Sequence, residues 1–359
     1  MDRIVYLKPK SAFRNPLRSD TLWGALCWAI RMVEGNKQLE KFIQQYEEKP
    51  PIVISSCFPY KQIGTDKIPY FPIPMRPKPP FKLIEKVSLQ EGQKALRNKK
   101  KRKKITYLSK EVYESFLKGD NIDPDKIQDF IAQPPKIKTE AITHNTINRI
   151  TNGSDKITGW KKVKVIDEYT GKHTGQEVYE AITTGQLFHI EENFLIDPTN
   201  LTQAQDNVGL YFLVKGDMKW IEGALRYLED TGIGGDRGTG KGHFEISHEP
   251  FNLNVPQDGN AWTNLSLYHP TDTEINTIKG DTTNNYKLEV RQGTYGFMHT
   301  MTWKKPQIMF FKEGSVFSDK ISRNSHSGFN PIVLPKGSKP QLDHDVYQYG
   351  TAFMVKMKI

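Results

Sequence analysis

The chain has 359 residues and carries 51 Lys and Arg against 41 Asp and Glu, a net charge of +10 with a pI near 9.2. A chain this basic attracts polyanions, of which nucleic acid is the commonest in cells. An acidic residue, Asp2, stands where a signal peptide would be basic, which argues against a signal peptide. The longest apolar stretch, Leu22 to Ile30, is too short to span a membrane. The only two cysteines, Cys27 and Cys57, fit a reducing compartment. We therefore expect a cytoplasmic protein with no membrane association.

The first 60 residues predict a strand, a helix and a second strand. Residues Arg3 to Leu7 form a β-branched and aromatic run, which is typical of a strand. Ser19 or Asp20 is a candidate N-cap for a helix whose apolar side chains recur every three or four residues until Gly35. Residues Pro51 to Tyr60 supply the next strand.

A long insertion is predicted at about residues 61–140. Its six prolines between Pro69 and Pro80 remove backbone donors and favour irregular, extended chain. Eight of the eleven residues from Lys94 to Lys104 are basic, as in a phosphate-binding arm or in a merely solvated insertion. Residues 141–191 contain short alternating runs, which predict a long β-hairpin projecting from the core as a thumb.

The strand and helix pattern then repeats. Residues Val208 to Val214 are almost continuously apolar and predict a buried strand. Asp217 is a candidate cap for an amphipathic helix that ends at Gly232, and Phe244 and Ile246 alternate with polar residues as in a strand. The first 250 residues thus follow the βαββαβ order of a ferredoxin-like, or RRM-like, sheet.

The last part of the chain is rich in predicted strands. Four runs carry the pattern: Asn264 to Tyr268, Tyr286 to Arg291, Gln307 to Phe311 and Ala352 to Met357. We predict an α+β fold with two ferredoxin-like domains, one over residues 1–250 with the insertion and the thumb, and one over residues 251–359.

Six glycines lie among the eleven residues from Gly232 to Gly242. Glycine lets a backbone approach a ligand closely, and successive amides can form an anion-binding nest. Gly235 to Lys241 matches the G-x-x-x-x-G-K spacing of a P-loop, but Gly242 replaces the required hydroxyl residue and the loop precedes a strand. Arg237 and Lys241 favour an extended polyanion, while a purely structural turn stays the alternative.

Catalytic and metal-binding patterns are weak. The nine histidines show no metal-ligand spacing and no G-x-S-x-G elbow occurs, so we expect no metal site and no cofactor. On the predicted thumb, His144, Asn145 and Arg149 could contact phosphates or 2′-hydroxyls. His144 could also be a general base for metal-free RNA cleavage, and an ordinary exposed hairpin is the remaining alternative.

Six motifs, in this order, resemble the RAMP proteins of CRISPR systems, and together they resemble the subunit of the type III-A (Csm) interference complex that caps the crRNA 5′ end. They are Ser19-Asp20-Thr21-Leu22, Gly185-Gln186-Leu187-Phe188, the loop from Gly232 to Gly242, Arg291-Gln292-Gly293, Phe311-Lys312-Glu313-Gly314-Ser315-Val316-Phe317 and Val346-Tyr347-Gln348-Tyr349-Gly350. The basic insertion at Lys94 to Lys104 is not part of this pattern, which leaves a related type III variant open.

The resemblance implies a non-catalytic subunit that holds the repeat-derived 5′ handle of the crRNA. It also implies contacts with the large polymerase-like subunit and with a backbone RAMP subunit in a multisubunit ribonucleoprotein. The guide would be bound through its backbone and shape, while base pairing reads the target.

The resemblance also implies which residues contact RNA. The handle backbone would lie against the glycine-rich loop, and the thumb residues would contribute further contacts. Ser19 would lie near the point where a strand crosses the ligand. The implied RNA-binding residues are Ser19, His144, Asn145, Arg149, Gly234, Gly235, Arg237, Gly238 and Lys241.

Two other functions stay open at this point. One is a metal-independent endonuclease of the same superfamily that matures the crRNA precursor, with His144 as its base. The other is a general RNA-binding adaptor outside CRISPR systems, which would show no preference for repeat-derived RNA.

Overall fold

The computed structural model of the chain describes residues 2–14, 16–76, 106–120, 136–144, 157–166, 173–183, 188–196, 207–235, 237–297, 301–321, 327–339 and 342–359. These residues form two compact units, one of Met1–Lys138 with Leu195–Ile359 and one of Thr139–Phe194. The predicted division at residue 250 lies within the first unit and stays a prediction. The basic run from Lys94 to Lys104 lies outside the described residues.

The larger unit begins with strand β1 (Arg3–Pro9) and helix α1 (Ser19–Glu34), both of which were predicted. Gly35, with φ +88°, ends α1 as expected. Arg18 is the N-cap residue, so the predicted capping by a side chain of the Ser-Asp pair is wrong. A second helix, α2 (Asn36–Glu48), follows directly and was not predicted.

The predicted second strand is two short strands, β2 (Ile52–Ile54) and β3 (Phe58–Ile63). They separate because the intervening backbone leaves the sheet, where the Ser56 N–H donates to Leu265 O at 2.8 Å. Strand β4 (Asp66–Pro72) follows.

The beginning of the proline-rich stretch is therefore a strand and not irregular chain. Pro69 lies opposite Tyr60 in the β3–β4 pair, because the fixed φ of proline is compatible with extended backbone. Strand β5 (Tyr107–Ser109) and helix α3 (Lys110–Leu117) are the next described elements.

The described residues of the smaller unit lie in β-strands. They are β6 (Lys136–His144), β7 (Ile157–Ile166), β8 (His173–Thr183) and β9 (Phe188–Ile196). Strands β7 and β8 pair in antiparallel fashion from Ile157 opposite Thr183 to Ile166 opposite His173, and β6 pairs with β9. A projecting thumb in this region stays a prediction.

Strand β10 (Val208–Gly216), helix α4 (Glu222–Thr231) and strand β11 (Phe244–Pro250) return to the larger unit as predicted. Asp217 caps a 3-10 turn that precedes α4, since its carboxylate accepts the Lys219 N–H at 3.1 Å.

The remaining elements are mostly short strands, as predicted, with one helix that was not predicted. In chain order they are β12 (Ala261–Asn264), α5 (Asp272–Lys279), β13 (Leu288–Arg291), β14 (Thr294–Phe297), β15 (Met301–Lys304), β16 (Ile308–Phe311), β17 (Val316–Ser318), β18 (Ile332–Leu334), β19 (Val346–Tyr347) and β20 (Met354–Met357). Strand β12 ends at Asn264, where the predicted strand was to begin, and the Tyr268 N–H then donates to Phe311 O of β16, which is not part of the sheet of β12.

The main sheet has the strand order β11-β1-β10-β3-β4-β5, with β2 also paired to β10. The pairs of β1 with β10 and β11, and of β10 with β3, are antiparallel. A second sheet has the order β17-β12-β20. The chain is therefore a mixed α/β protein with antiparallel sheets.

Both faces of the main sheet are buried. On β1, Val5 and Leu7 pack in one core with α1 and α4, whereas Ile4 and Tyr6 pack in another core with α3 and β20. Burial on both faces explains why β10 is almost continuously apolar. Among the described helices, none is both long and apolar enough to cross a membrane.

Candidate nucleic-acid interface

The register of the main sheet brings two loops together. Strand β11 pairs with β1 so that Phe244 lies opposite Pro9, which places the glycine-rich loop (residues 232–242) beside the N-terminal loop (residues 10–18). The Gly242 N–H donates to Ala12 O at 2.8 Å, and the Lys10 N–H donates to His243 O at the same distance. We call these two segments the two-loop surface.

The base of the glycine-rich loop is closed by its own backbone. The Ile233 N–H donates to Gly242 O at 2.8 Å. Gly232 and Gly242 have φ of +82° and +69°, which only glycine adopts readily. A Cβ atom at Gly242 would lie 2.2 Å from Ile233 O. These two glycines are thus required by the fold of the loop itself.

Gly238, at the tip of the loop, has no such conformational or steric requirement. Residues Arg237–Thr239 form a 3-10 turn, closed by the Gly240 N–H donating to Arg237 O at 3.1 Å. A Cβ atom at Gly238 would meet none of the described atoms within 4 Å, and Gly238 is not among the glycines with positive φ. Packing does not explain a glycine there, whereas close approach of a ligand to the backbone would.

Both segments of the two-loop surface carry basic side chains. Arg237 is exposed and Lys241 is half-buried within the glycine-rich loop. From the N-terminal loop, Lys10 and Arg14 are exposed, and the Cδ of Arg14 lies 3.4 Å from the Cβ position of Gly235. Positive side chains beside an open glycine backbone suit a sugar-phosphate chain.

Arg14 is a candidate contact that we did not predict from the sequence. The spacing of Lys10, Arg14 and Arg18 between a predicted strand and a predicted helix was the available signal. The order βαββαβ also implies that the first and last strands are neighbours, so the adjacency of the two loops could have been inferred.

The structure brings together five of the nine predicted RNA-binding residues. Gly234, Gly235, Arg237, Gly238 and Lys241 all lie in the glycine-rich loop. Of the other predicted contacts, His144 is the last residue of β6 in the smaller unit, and Asn145 and Arg149 lie outside the described residues.

Ser19 is the first residue of α1. Its side chain is fully buried, and its Oγ accepts the Leu267 N–H at 3.0 Å. The Ser19 N–H in turn donates to Ser56 Oγ at 3.0 Å. Ser19 therefore joins the start of α1 to the C-terminal half of the chain and does not present its hydroxyl to a ligand in this structure.

Asp20 is the centre of a polar cluster at the start of α1. Its carboxylate accepts two hydrogen bonds from Arg291, at 3.0 and 3.1 Å. It also accepts one from Gln348 Nε2 at 3.0 Å, and Gln348 Oε1 accepts from Lys305 Nζ at 3.0 Å. Burial lowers the pKa of Lys305, and the charge of Asp20 opposes that shift.

Arg18 extends the same cluster. Its guanidinium lies 2.7 Å from a carboxylate oxygen of Glu289 and 3.3 Å from one of Glu313. Burial alone would lower the pKa of Arg18, but the two carboxylates outweigh burial and raise it. The Ser56 hydroxyl donates to the other Glu313 oxygen. The motifs containing Asp20, Arg291, Glu313 and Gln348 thus meet in one structural cluster.

A cavity of about 230 Å³ lies elsewhere, between α4 and β11. It is lined by Glu222, Glu229, Arg226 and His248 together with two aliphatic side chains. Two carboxylates disfavour a phosphate ligand, so this cavity is not the candidate interface. Among the described residues, no group of three or more His, Cys, Asp or Glu side chains could hold a metal ion.

Comparison with known proteins identifies the relatives of this chain. Residues 257–357 match the family model of the CRISPR Csm4 C-terminal domain. The CRISPR system Cms protein Csm4 of Thermococcus onnurineus is 25% identical over 360 residues, which cover 99% of this chain and 96% of the relative. The protein of the same name from Methanocaldococcus jannaschii is 25% identical over 403 residues, with 98% and 97% covered.

Two solved structures show the same fold. A chain of the Csm3–Csm4 subcomplex in the type III-A CRISPR-Cas interference complex matches with a TM-score of 0.56 and 18% identity, covering 99% of this chain and 100% of that one. A chain of the Csm1–Csm4 cassette in complex with cA4 matches with a TM-score of 0.55 and 20% identity, covering 100% and 99%. The match to the C-terminal residues and the relatives that cover almost the whole chain confirm the resemblance drawn from the motifs, and the chain is similar to Csm4 proteins along nearly its full length.

Proposed function

We propose that this chain is the non-catalytic crRNA-binding subunit of a type III-A CRISPR interference complex. It holds the repeat-derived 5′ handle of the crRNA on the two-loop surface and bridges the large polymerase-like subunit to the backbone RAMP subunits. In this role it serves RNA-guided antiviral defence in the cytoplasm.

The observation that carries the handle-binding role is the open tip of the glycine-rich loop. Among the described residues, no atom lies within 4 Å of a Cβ position at Gly238, which adjoins the exposed Arg237, and Lys241 follows three residues later. A backbone without side chains lets a sugar-phosphate chain lie directly on its amides, and the two cations neutralise phosphates. This arrangement binds a strand without reading its bases.

The sheet order supports the proposed domain type. Counting β1, β3, β10 and β11 as strands one to four, the order β11-β1-β10-β3 is the 4-1-3-2 order of a ferredoxin-like sheet, with α1 and α4 in the expected connections. We infer a second domain of this type over residues 251–359, built on β12, β17, β20 and α5. The proposed thumb, at about residues 141–191, lies within the smaller unit, Thr139–Phe194.

Relatives support the proposed partners. Related chains have been solved with Csm1 and with Csm3. By this relationship the present chain contacts the corresponding large subunit and the corresponding backbone subunit of its own complex. Its net charge of +10 is consistent with assembly around RNA.

Handle binding is tested with the double variant Arg237→Ala plus Lys241→Ala. Affinity is measured for a crRNA with its 5′ handle and for the same RNA without the handle, at several salt concentrations. Loss of two phosphate contacts on a single strand lowers the slope of log affinity against log salt by about 1.4. The matched control is Lys336→Ala plus Lys339→Ala, which removes two exposed lysines that are not part of the two-loop surface.

The control should keep the wild-type affinity and the wild-type salt slope. Equal binding by both double variants would reject the glycine-rich loop as the handle site. Equal binding of the two RNAs by the wild-type chain would favour the general RNA-binding adaptor instead.

The non-catalytic role is tested by incubating the chain with a crRNA precursor in EDTA. We expect no cleavage. Cleavage that disappears in His144→Ala would instead establish the metal-independent endonuclease, because a histidine base acting on the 2′-hydroxyl needs no metal ion.

A further inference from the structure

The N-terminal loop packs two side chains against the glycine-rich loop. Leu17 is buried, and its Cδ2 lies 3.7 Å from the Cβ position of Gly234. Arg14 is exposed, and its Cδ lies 3.4 Å from the Cβ position of Gly235. Because Arg14 precedes Leu17 by three residues, its placement on the two-loop surface depends on how the end of the N-terminal loop is held.

The end of this loop is joined to two different parts of the chain. Leu17 O accepts the Cys57 N–H at 2.9 Å, a bond within the N-terminal part. The Arg18 guanidinium instead lies between two carboxylates from the C-terminal part, 2.7 Å from Glu289 of β13 and 3.3 Å from Glu313, which follows β16. The side chain of Arg18 therefore ties the N-terminal loop to residues 251–359.

The ion pairs of Arg18 are shielded from water. The Arg18 side chain is 19% exposed and that of Glu313 is 7% exposed, and the Ser56 hydroxyl donates to the second oxygen of Glu313. Salt screens partly buried pairs much less than exposed ones. The contact should therefore persist at the salt concentrations at which RNA binding is measured.

The same two carboxylates argue against a direct contact between Arg18 and phosphate. A phosphate group that approached the guanidinium would meet the negative charges of Glu289 and Glu313 and would have to displace one of them. Arg14, in contrast, is exposed beside the glycine-rich loop. An effect of Arg18 on RNA binding therefore has to pass through its neighbours in the N-terminal loop.

We propose that Arg18 is a positioning residue for RNA binding: held by Glu289 and Glu313, it keeps Leu17 against the glycine-rich loop and so keeps Arg14 at the two-loop surface. This inference rests on the proposed function, because it concerns the proposed handle site. It makes two acidic side chains of the C-terminal part a requirement for binding a polyanion.

The first test is Glu289→Gln in the full-length chain, with affinity measured for a crRNA that carries its 5′ handle. Neutralising an acidic residue ordinarily leaves affinity for a polyanion unchanged or raises it. Here we expect affinity to fall about threefold, because one of the two carboxylates that hold Arg18 is lost. The matched control is Asp258→Asn, which neutralises a carboxylate paired with Lys358 at 2.6 Å and should not lower affinity.

The second test is a double-mutant cycle with Arg14→Met. That variant should lower affinity about tenfold and the slope of log affinity against log salt by about 0.7, as expected for one phosphate contact on a single strand. Arg18→Met should do the same. It is combined with Glu313→Gln, so that no unpaired carboxylate is left at a buried site. The three substitutions together should lower affinity and slope no further than Arg14→Met alone, since Arg18 acts through Arg14.

Other results of the cycle overturn the inference. Additive losses with a slope lowered by about 1.4 would make Arg18 itself a phosphate contact. A loss of affinity on Glu289→Gln that persists in the Arg14→Met background would indicate a general loosening of the fold. Wild-type or higher affinity in both Glu289→Gln and the Arg18 variant would show that the ion pairs do not support RNA binding, although the proposed function would stand.

The proposed function is checked on the wild-type chain before any variant. Equal affinity of the wild-type chain for RNA with and without the handle would reject handle binding, and the role of Arg18 with it. Failure of the proposed function is thus distinguished from failure of the inference.

Discussion

Two glycines of the same loop should respond in opposite ways to the same added methyl group. Gly242→Ala places a Cβ atom at a residue with φ +69°, 2.2 Å from Ile233 O. Gly238→Ala places the same atom in open space among the described residues, at a residue without positive φ. The pair therefore separates the glycine that the fold requires from the glycine that a ligand requires.

The expected loss of stability for Gly242→Ala has two parts. Placing a non-glycine residue in the left-handed backbone region lowers the free energy of unfolding by about 1–2 kcal/mol. Relief of the clash moves backbone and weakens the hydrogen bonds from Ile233 N–H to Gly242 O and from Gly242 N–H to Ala12 O, each of which contributes about 1 kcal/mol. Together these predict a decrease of about 2–4 kcal/mol in the free energy of unfolding.

Gly238→Ala should leave the free energy of unfolding within about 0.5 kcal/mol of wild type. Its affinity for handle RNA should fall about tenfold, equal to 1.4 kcal/mol, because the methyl group occupies the space left for the sugar-phosphate chain. Urea denaturation and RNA binding are measured on both variants. A stable Gly242→Ala chain would refute the steric argument, and wild-type RNA affinity in Gly238→Ala would refute the ligand argument.

Three further predictions concern buried groups. Asp20→Ala should lower the free energy of unfolding by about 2 kcal/mol in urea denaturation, since the half-buried Arg291 loses its carboxylate. Tyr349→Phe should lower it by about 1–2 kcal/mol, because the buried Ile54 N–H donates to the Tyr349 hydroxyl at 2.9 Å and would lose that acceptor. Burial raises the pKa of the Cys27 thiol, so at pH 8 it stays protonated in the folded chain; iodoacetamide should label it more slowly there than in urea, and equal rates would contradict this.

The elements that could be predicted are those with a strong apolar period. Strand β10 and helix α1 carry continuous or helical-period apolar residues, and both were found where expected. Helix α2 was missed because Phe42 is its only fully buried residue, so its pattern is weak. Helix α5 was missed although its capping box, Thr271 with Glu274, was legible in the sequence.

The same distinction applies to the candidate site. The glycine-rich loop could be identified from local composition alone. The cluster around Asp20 could not, because its partner Arg291 is 271 residues away in sequence and no local pattern records that distance. The motifs that resemble the family therefore contain both candidate ligand contacts and residues that stabilise the fold. The sequence alone does not distinguish the two groups.

The cluster and the two-loop surface are nevertheless physically connected through the N-terminal loop. Ala12 O fixes one end of that loop to Gly242, while Arg18 and Asp20 fix the other end to the C-terminal half of the chain. Arg14 lies between these two anchors. Substitution of Asp20 should therefore weaken RNA binding by loosening the position of Arg14, although Asp20 itself lies outside the two-loop surface.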